Sequence, residues 1–214
     1  MNAKLLSVSF SVFFFLSCSP RVNLVNPGGG AFHKKAPSVF NVLLETSKGE
    51  ILLEVHRDWS PHGVDRFYNL VRTGYYDNNY VFRIRAGTWA QFGINGDPEV
   101  ARAWRGQTLP DDVRKESNTR GTVAYAFKDP NGRTTQVFIN LRDNSATHDG
   151  EPFVPFARVV RGMEVADLLY AGYGEKSGGG IRAGHQDPLF TGGNEYLRQH
   201  YPLLDSIRRA RVVK

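Results

Sequence analysis

From Val39 onward the apolar residues come in short runs, and clusters of Gly, Asn, Asp and Pro separate one run from the next. Runs of about 4–8 residues suit strands, whereas a core helix needs about ten or more. Phe40-Asn41-Val42-Leu43-Leu44 is followed by Thr46-Ser47-Lys48-Gly49 and then Glu50-Ile51-Leu52-Leu53-Glu54-Val55, a hairpin pattern. Residues 80–84, 89–92, 122–127, 136–141, 153–160 and 207–213 read as further strands. The 22 glycines, 14 phenylalanines and nine tyrosines favour strands and turns over a helical bundle. Two helices interrupt this pattern. Ser60-Pro61 opens the first as N-cap and first-turn proline, Val64, Phe67, Leu70 and Val71 follow at helical spacing, and Gly74 stops it. The second covers 163–170, with Val165, Leu168 and Leu169 apolar. Residues 171–193 are glycine-rich and loop-like, and Asn194 caps a short third helix bearing Tyr196 and Leu197. The expected architecture is a closed antiparallel barrel, because closure removes exposed strand edges. A small barrel is filled by its own side chains, so a binding site has to lie outside it.

The first 18 residues follow a different rule. Lys4 precedes a dozen mostly apolar residues, and Ser17 stands before Cys18, the one cysteine of the chain. A charged start, a short apolar run and a small residue at the cut form an export signal. The run is too short to span a bilayer, which takes about 20 residues. Leu16-Ser17-Cys18 resembles a bacterial lipoprotein box, with Phe15 in place of the usual leucine three places before the cysteine. Residues 1–18 are therefore expected to be a lipoprotein-type signal with a lipid on Cys18. Residues 19–37, rich in Pro, Gly and Asn, are expected to be a flexible tether, and 38–214 the folded domain. With no second cysteine the domain has no internal disulfide and depends on its core.

The net charge of +6 is scattered except for Arg208, Arg209 and Arg211, without the clustered cations and interleaved aromatics of a nucleic-acid groove. The six histidines show no metal-ligand spacing. No phosphate loop or nucleophile elbow is present. No cofactor, metal or nucleic acid is expected.

Residues 81–93, Val-Phe-Arg-Ile-Arg-Ala-Gly-Thr-Trp-Ala-Gln-Phe-Gly, resemble the signature of the cyclophilin-type peptidyl-prolyl cis-trans isomerases: Arg83, Gly87, Gln91 and Gly93 match at the right spacing. The likeness continues in order through 46–54, 60–76, 121–126, 135–139, 149–150 and 155–163. Gln91 to Pro98 and the tail with Gly193 to Leu197, Pro202 and Asp205 are similar to a bacterial exported branch of the family. The resemblance implies a mainly β, closed eight-stranded barrel with two capping helices, here followed by a C-terminal extension from about residue 172. It implies rotation of X–Pro bonds, with proline-containing polypeptides as partners and no cofactor. Arg83 and Gln91 would be catalytic: Arg83 donates to the prolyl nitrogen as amide resonance is lost, and Gln91 positions Arg83 and the peptide. Phe138 would floor the proline pocket. Trp89, Thr88, Ala126, Phe127, Gln136, Phe153 and His148 would line the peptide groove.

The pocket walls depart from the common pattern. Thr88 stands for an aromatic residue, Trp89 for a methionine and Phe127 for an asparagine. Phe153 or Pro152 falls where a histidine is usual, and His148 falls near a leucine position. The expected function is a monomeric, lipid-anchored isomerase of the bacterial periplasm or envelope that assists the folding of exported proteins. The alternative is a proline-peptide-binding or scaffold module with weak catalysis.

Overall fold

A computed structural model describes residues 22–214; the expected signal and Cys18 lie outside the described residues. Nine strands form one antiparallel sheet: β1 (Val39–Thr46), β2 (Glu50–His56), β3 (Asn79–Tyr80), β4 (Arg83–Arg85), β5 (Trp89–Phe92), β6 (Thr122–Tyr125), β7 (Val137–Asn140), β8 (Pro155–Arg161) and β9 (Ser206–Val213). Their order across the sheet is β3-β9-β1-β2-β8-β6-β7-β5-β4. The α-helices are α1 (Pro61–Arg72), α2 (Pro98–Arg105), α3 (Ser145–His148), α4 (Met163–Asp167) and α5 (Asp187–His200).

The expected hairpin is present, with Leu43 opposite Leu52 and Glu45 opposite Glu50. The closed eight-stranded barrel is not. The sheet is an open half-barrel, because the strand expected over 80–84 breaks at Val81 and Phe82. The Val81 N–H donates to Asp205 O at 2.9 Å, continuing the pairing with β9, while Arg83 begins a new ladder with β5. The broken strand thus supplies both edges of the sheet, β3 and β4, which do not pair with each other.

Val42, Leu44, Ile51, Leu53, Val55, Val123, Val137, Ile139 and Phe156 fill the main core with the inward stripe of α1, Val64, Phe67, Leu70 and Val71. A second core joins Phe82, Ile94 and Ala101 of the body to Leu189, Phe190, Leu197 and Leu204 of the C-terminal extension. The extension is therefore packed structure. Its helix begins at Asp187, well before the expected cap at Asn194, and is interrupted at Gly193, whose φ is +54°. A Cβ there would lie 2.2 Å from the Gly96 carbonyl oxygen, so only glycine permits this approach of α5 to the start of α2.

Two more expectations are corrected. The described part of the expected tether, from Val22 on, is packed against the body. The ring of Phe32 meets Trp104 edge-on at 4.8 Å, Trp104 Nε1 donates to Leu24 O, and the Ala36 N–H donates to Asp65. Isolated apolar anchors carry no periodicity, so the pattern does not announce them. Ser60 does not cap α1 with its own side chain. Asp112 accepts from the Ser60 hydroxyl at 2.5 Å and from the N–H groups of His62 and Gly63 at 3.2 and 3.1 Å, so the cap comes from about fifty residues away.

Candidate active site

Strand register builds the site. Arg83 of β4 stands opposite Gln91 of β5, Gln91 opposite Phe138 of β7, and Phe138 opposite Ala124 of β6. Side chains alternate between faces along a strand. Ile84, Ala90, Phe92, Val137 and Ile139 therefore enter the core, and Arg83, Gln91 and Phe138 form a row on the outer face. Gly93 ends β5 at φ +113°; a Cβ there would be 2.3 Å from the Thr135 carbonyl oxygen. This close approach sets Gln136 beside Gln91.

The polar half of the site is one hydrogen-bonded chain. Arg83 Nη1 donates to Gln91 Oε1 at 2.9 Å, and Gln91 Nε2 donates to Gln136 Oε1 at 2.8 Å. Gln136 and Gln186 exchange amide hydrogen bonds at 3.1 and 3.2 Å. Arg83 Nη2 pairs with Glu175 Oε1 at 2.9 Å. Arg83 Nε is buried and has no partner among the described residues. Burial pushes the Arg83 guanidinium down from its ordinary value, and Glu175 opposes that shift.

The apolar half is a cluster of rings. Phe138 lies 5.5 Å from Phe153 and 5.7 Å from His148, and Phe153 lies 4.7 Å from His148 and 4.5 Å from Phe127. Trp89 lies 6.0 Å from His148. The Arg83 and Arg85 guanidinium carbons lie 5.5 and 5.3 Å from the Trp89 ring, so Trp89 joins the two halves. Burial holds the His148 imidazole below its usual range and favours its neutral form in this cluster.

The structure thus brings Arg83, Gln91 and Gln136 together, and likewise Trp89, Phe127, Phe138, His148 and Phe153. At the histidine position left open between Pro152 and Phe153, it is Phe153 that joins the rings. Thr88 and Ala126 sit at the borders. The Thr88 hydroxyl turns to Ala86 O at 3.3 Å, and the Ala126 N–H is committed to Gln136 O at 2.9 Å. Glu175 and Gln186 escape sequence reasoning: each lies in a glycine-rich stretch with no periodicity, far along the chain from the group it touches.

A guanidinium and two amides stand in one row beside a cluster of rings, groups that act on a ligand by non-covalent contact. The family profile described as "Cyclophilin type peptidyl-prolyl cis-trans isomerase/CLD" matches residues 41–179. The chain belongs to this family, and the reaction it carries out is cis-trans isomerisation of X–Pro bonds. It is 34% identical over 158 residues to peptidyl-prolyl cis-trans isomerase cyp18 of Streptomyces antibioticus, covering 68% of this chain and 89% of that one. It is 30% identical over 136 residues to peptidyl-prolyl cis-trans isomerase B of Escherichia coli strain K12, covering 60% and 82%. The crystal structure of a cyclophilin-type isomerase from Cryptosporidium parvum shares the fold, with a TM-score of 0.58 at 18% identity over 82% of this chain and 98% of the other.

Proposed function

We propose that Arg83 and Gln91 carry the catalysis, that Phe138 floors the proline pocket, and that the clients are proline-containing chains folding in a bacterial envelope. The observation behind the catalytic assignment is the row itself: Arg83, Gln91 and Phe138 on three adjacent strands, with a donor group beside a cluster of rings.

An X–Pro bond rotates slowly because amide resonance raises a barrier of roughly 18–20 kcal/mol. As the bond twists, the lone pair localises on the prolyl nitrogen. A fixed donor aimed at that nitrogen stabilises the twisted state more than either planar one, which is sufficient for catalysis. Arg83 has such donors in the second N–H of each Nη, which Gln91 and Glu175 leave over. Gln91 holds one arm of the fork, the rings about Phe138 take the proline, and Thr88, Ala126, Phe127 and Gln136 border the peptide.

A proline-isomerisation assay on the purified domain, with peptides differing before proline, tests the assignment. Arg83→Ala is expected to lower kcat/KM by about a hundredfold or more in a chain that still folds. Equal rates in the two proteins would remove Arg83 from the mechanism.

The envelope assignment is supported by the sequence of residues 1–18 and by its lipoprotein-like end at Cys18. Lipid labelling of the full chain in bacteria, with membrane fractionation, is expected to follow Cys18. Label persisting in Cys18→Ser would refute the anchor.

A further inference from the structure

The loop after α4 folds back onto the catalytic row. The Ile84 N–H donates to Gly174 O at 3.3 Å. Gly178 lies against the stem of Arg83, so closely that a Cβ on it would be 2.3 Å from the arginine Cβ. Between these contacts Glu175 reaches Arg83 Nη2. The backbone of Glu175 is itself held, since its carbonyl accepts from the N–H groups of Gly178 and Gly180 at 3.1 and 2.8 Å. At the far end of the loop Gln186 joins Gln136, and its Nε2 lies 3.4 Å from Gly178 O.

Arg83 is a largely buried cation whose other side-chain partner, Gln91, is neutral. Burying a charge is costly unless it is paired. Among the described residues Glu175 is the carboxylate in ion-pair contact with it. The nearby Arg85 adds like charge. The pair does not exhaust the arginine: each Nη carries a second N–H for a peptide.

We propose that Glu175 is a positioning residue for the isomerase reaction. Its carboxylate and the Gln91 amide grip opposite arms of the Arg83 guanidinium and hold it beside Trp89, with the second N–H of each Nη left for substrate. The stretch from Gly174 to Gln186 is then a working wall of the site, carried by the extension through its own core. The inference rests on the assignment of catalysis to Arg83. Without the carboxylate, the guanidinium turns toward water and the donor leaves its place.

The test compares the wild-type chain with Glu175→Ala, Glu175→Gln and Arg83→Ala. The readouts are kcat/KM for a prolyl peptide, melting temperature, and the NMR signals of the Arg83 guanidinium. Misplacement of a catalytic group by about 1 Å costs on the order of a hundredfold, so Glu175→Ala is expected to lose about tenfold to a hundredfold. Glu175→Gln keeps an acceptor and is expected to return most of that rate. The slow rotation that keeps the Nη signals separate is expected to survive in Glu175→Gln and to be lost in Glu175→Ala. An Arg83→Ala variant without activity, beside a Glu175→Ala variant at the wild-type rate or faster, overturns this inference alone. So does a slowed Glu175→Ala variant with unchanged Arg83 signals. An Arg83→Ala variant at the wild-type rate removes the catalytic assignment and this inference with it.

Discussion

Phe138 stands on the outer face of the sheet and yet exposes only 3% of its surface, because Phe153 and His148 cover its ring. The side chain is therefore packed like a core residue, and in the proposed reading it also floors the proline pocket. Phe138→Ala is expected to cost about 3–5 kcal/mol of folding stability, as for other buried phenylalanines. A domain with more than about 5 kcal/mol of stability to begin with, within the ordinary range of about 5–15 kcal/mol, stays folded at room temperature. Its kcat/KM should fall with the loss of the pocket floor. Denaturant titration and the isomerisation assay check the two effects separately, and an unchanged rate would move the proline pocket elsewhere. Arg83 and Gln91 were legible through the family signature, and the structure sets the two directly opposite one another on β4 and β5. Glu175 was not: it meets Arg83 from 92 positions away, and no local pattern encodes a pairing that the whole fold creates.

Among the elements, the segment before β1 and the cap of α1 were the least visible in the sequence. Strands with alternating or continuous apolar runs were found nearly in place, since burial of one face imposes a period of two. The break at Val81-Phe82 was hidden because both residues are apolar and buried; only their different cores separate them. Phe32 now allows the packed strap to be tested. Phe32→Ala is expected to cost about 3 kcal/mol, in the range of other phenylalanine truncations, with kcat/KM unchanged. A variant as stable as wild type would mean the segment is a tether after all. The Asp112 cap carries a pH dependence. Burial pushes its carboxyl up, but the Ser60 hydroxyl, the N–H groups of Gly63 and His62 and the Arg133 charge outweigh that and hold it below 3.8. The folded state thus binds fewer protons than the unfolded chain just above the folded value. The stabilisation is complete above the ordinary aspartate range and is lost as pH falls through the lower, folded value. Asp112→Asn is expected to flatten that part of an acid-unfolding curve. An unaltered acid limb would refute the assignment.

Across the whole molecule, two cores of unequal size meet at the broken strand. The main one is closed around β1, β2 and β8, whereas the loop carrying Glu175 is pinned by a few side chains. Native-state hydrogen exchange should follow this division, with amides of β1 and β2 opening only in global unfolding and those of 176–186 exchanging through local opening. Equal protection in both would contradict it. The position of β9 has a further consequence. It lies between β1 and β3, so one of the first strands along the chain pairs with the last, Leu43 opposite Arg211 and Leu44 opposite Ala210. Pairings this distant in sequence must close a long loop before they return any stability, and folding dominated by them is slow. On the ribosome, β1 would emerge first among the strands and wait, one flank unpaired, until β9 had been made. A catalyst of slow steps in other chains is itself assembled in an order that leaves an early strand without one neighbour until every other strand of the sheet has been made.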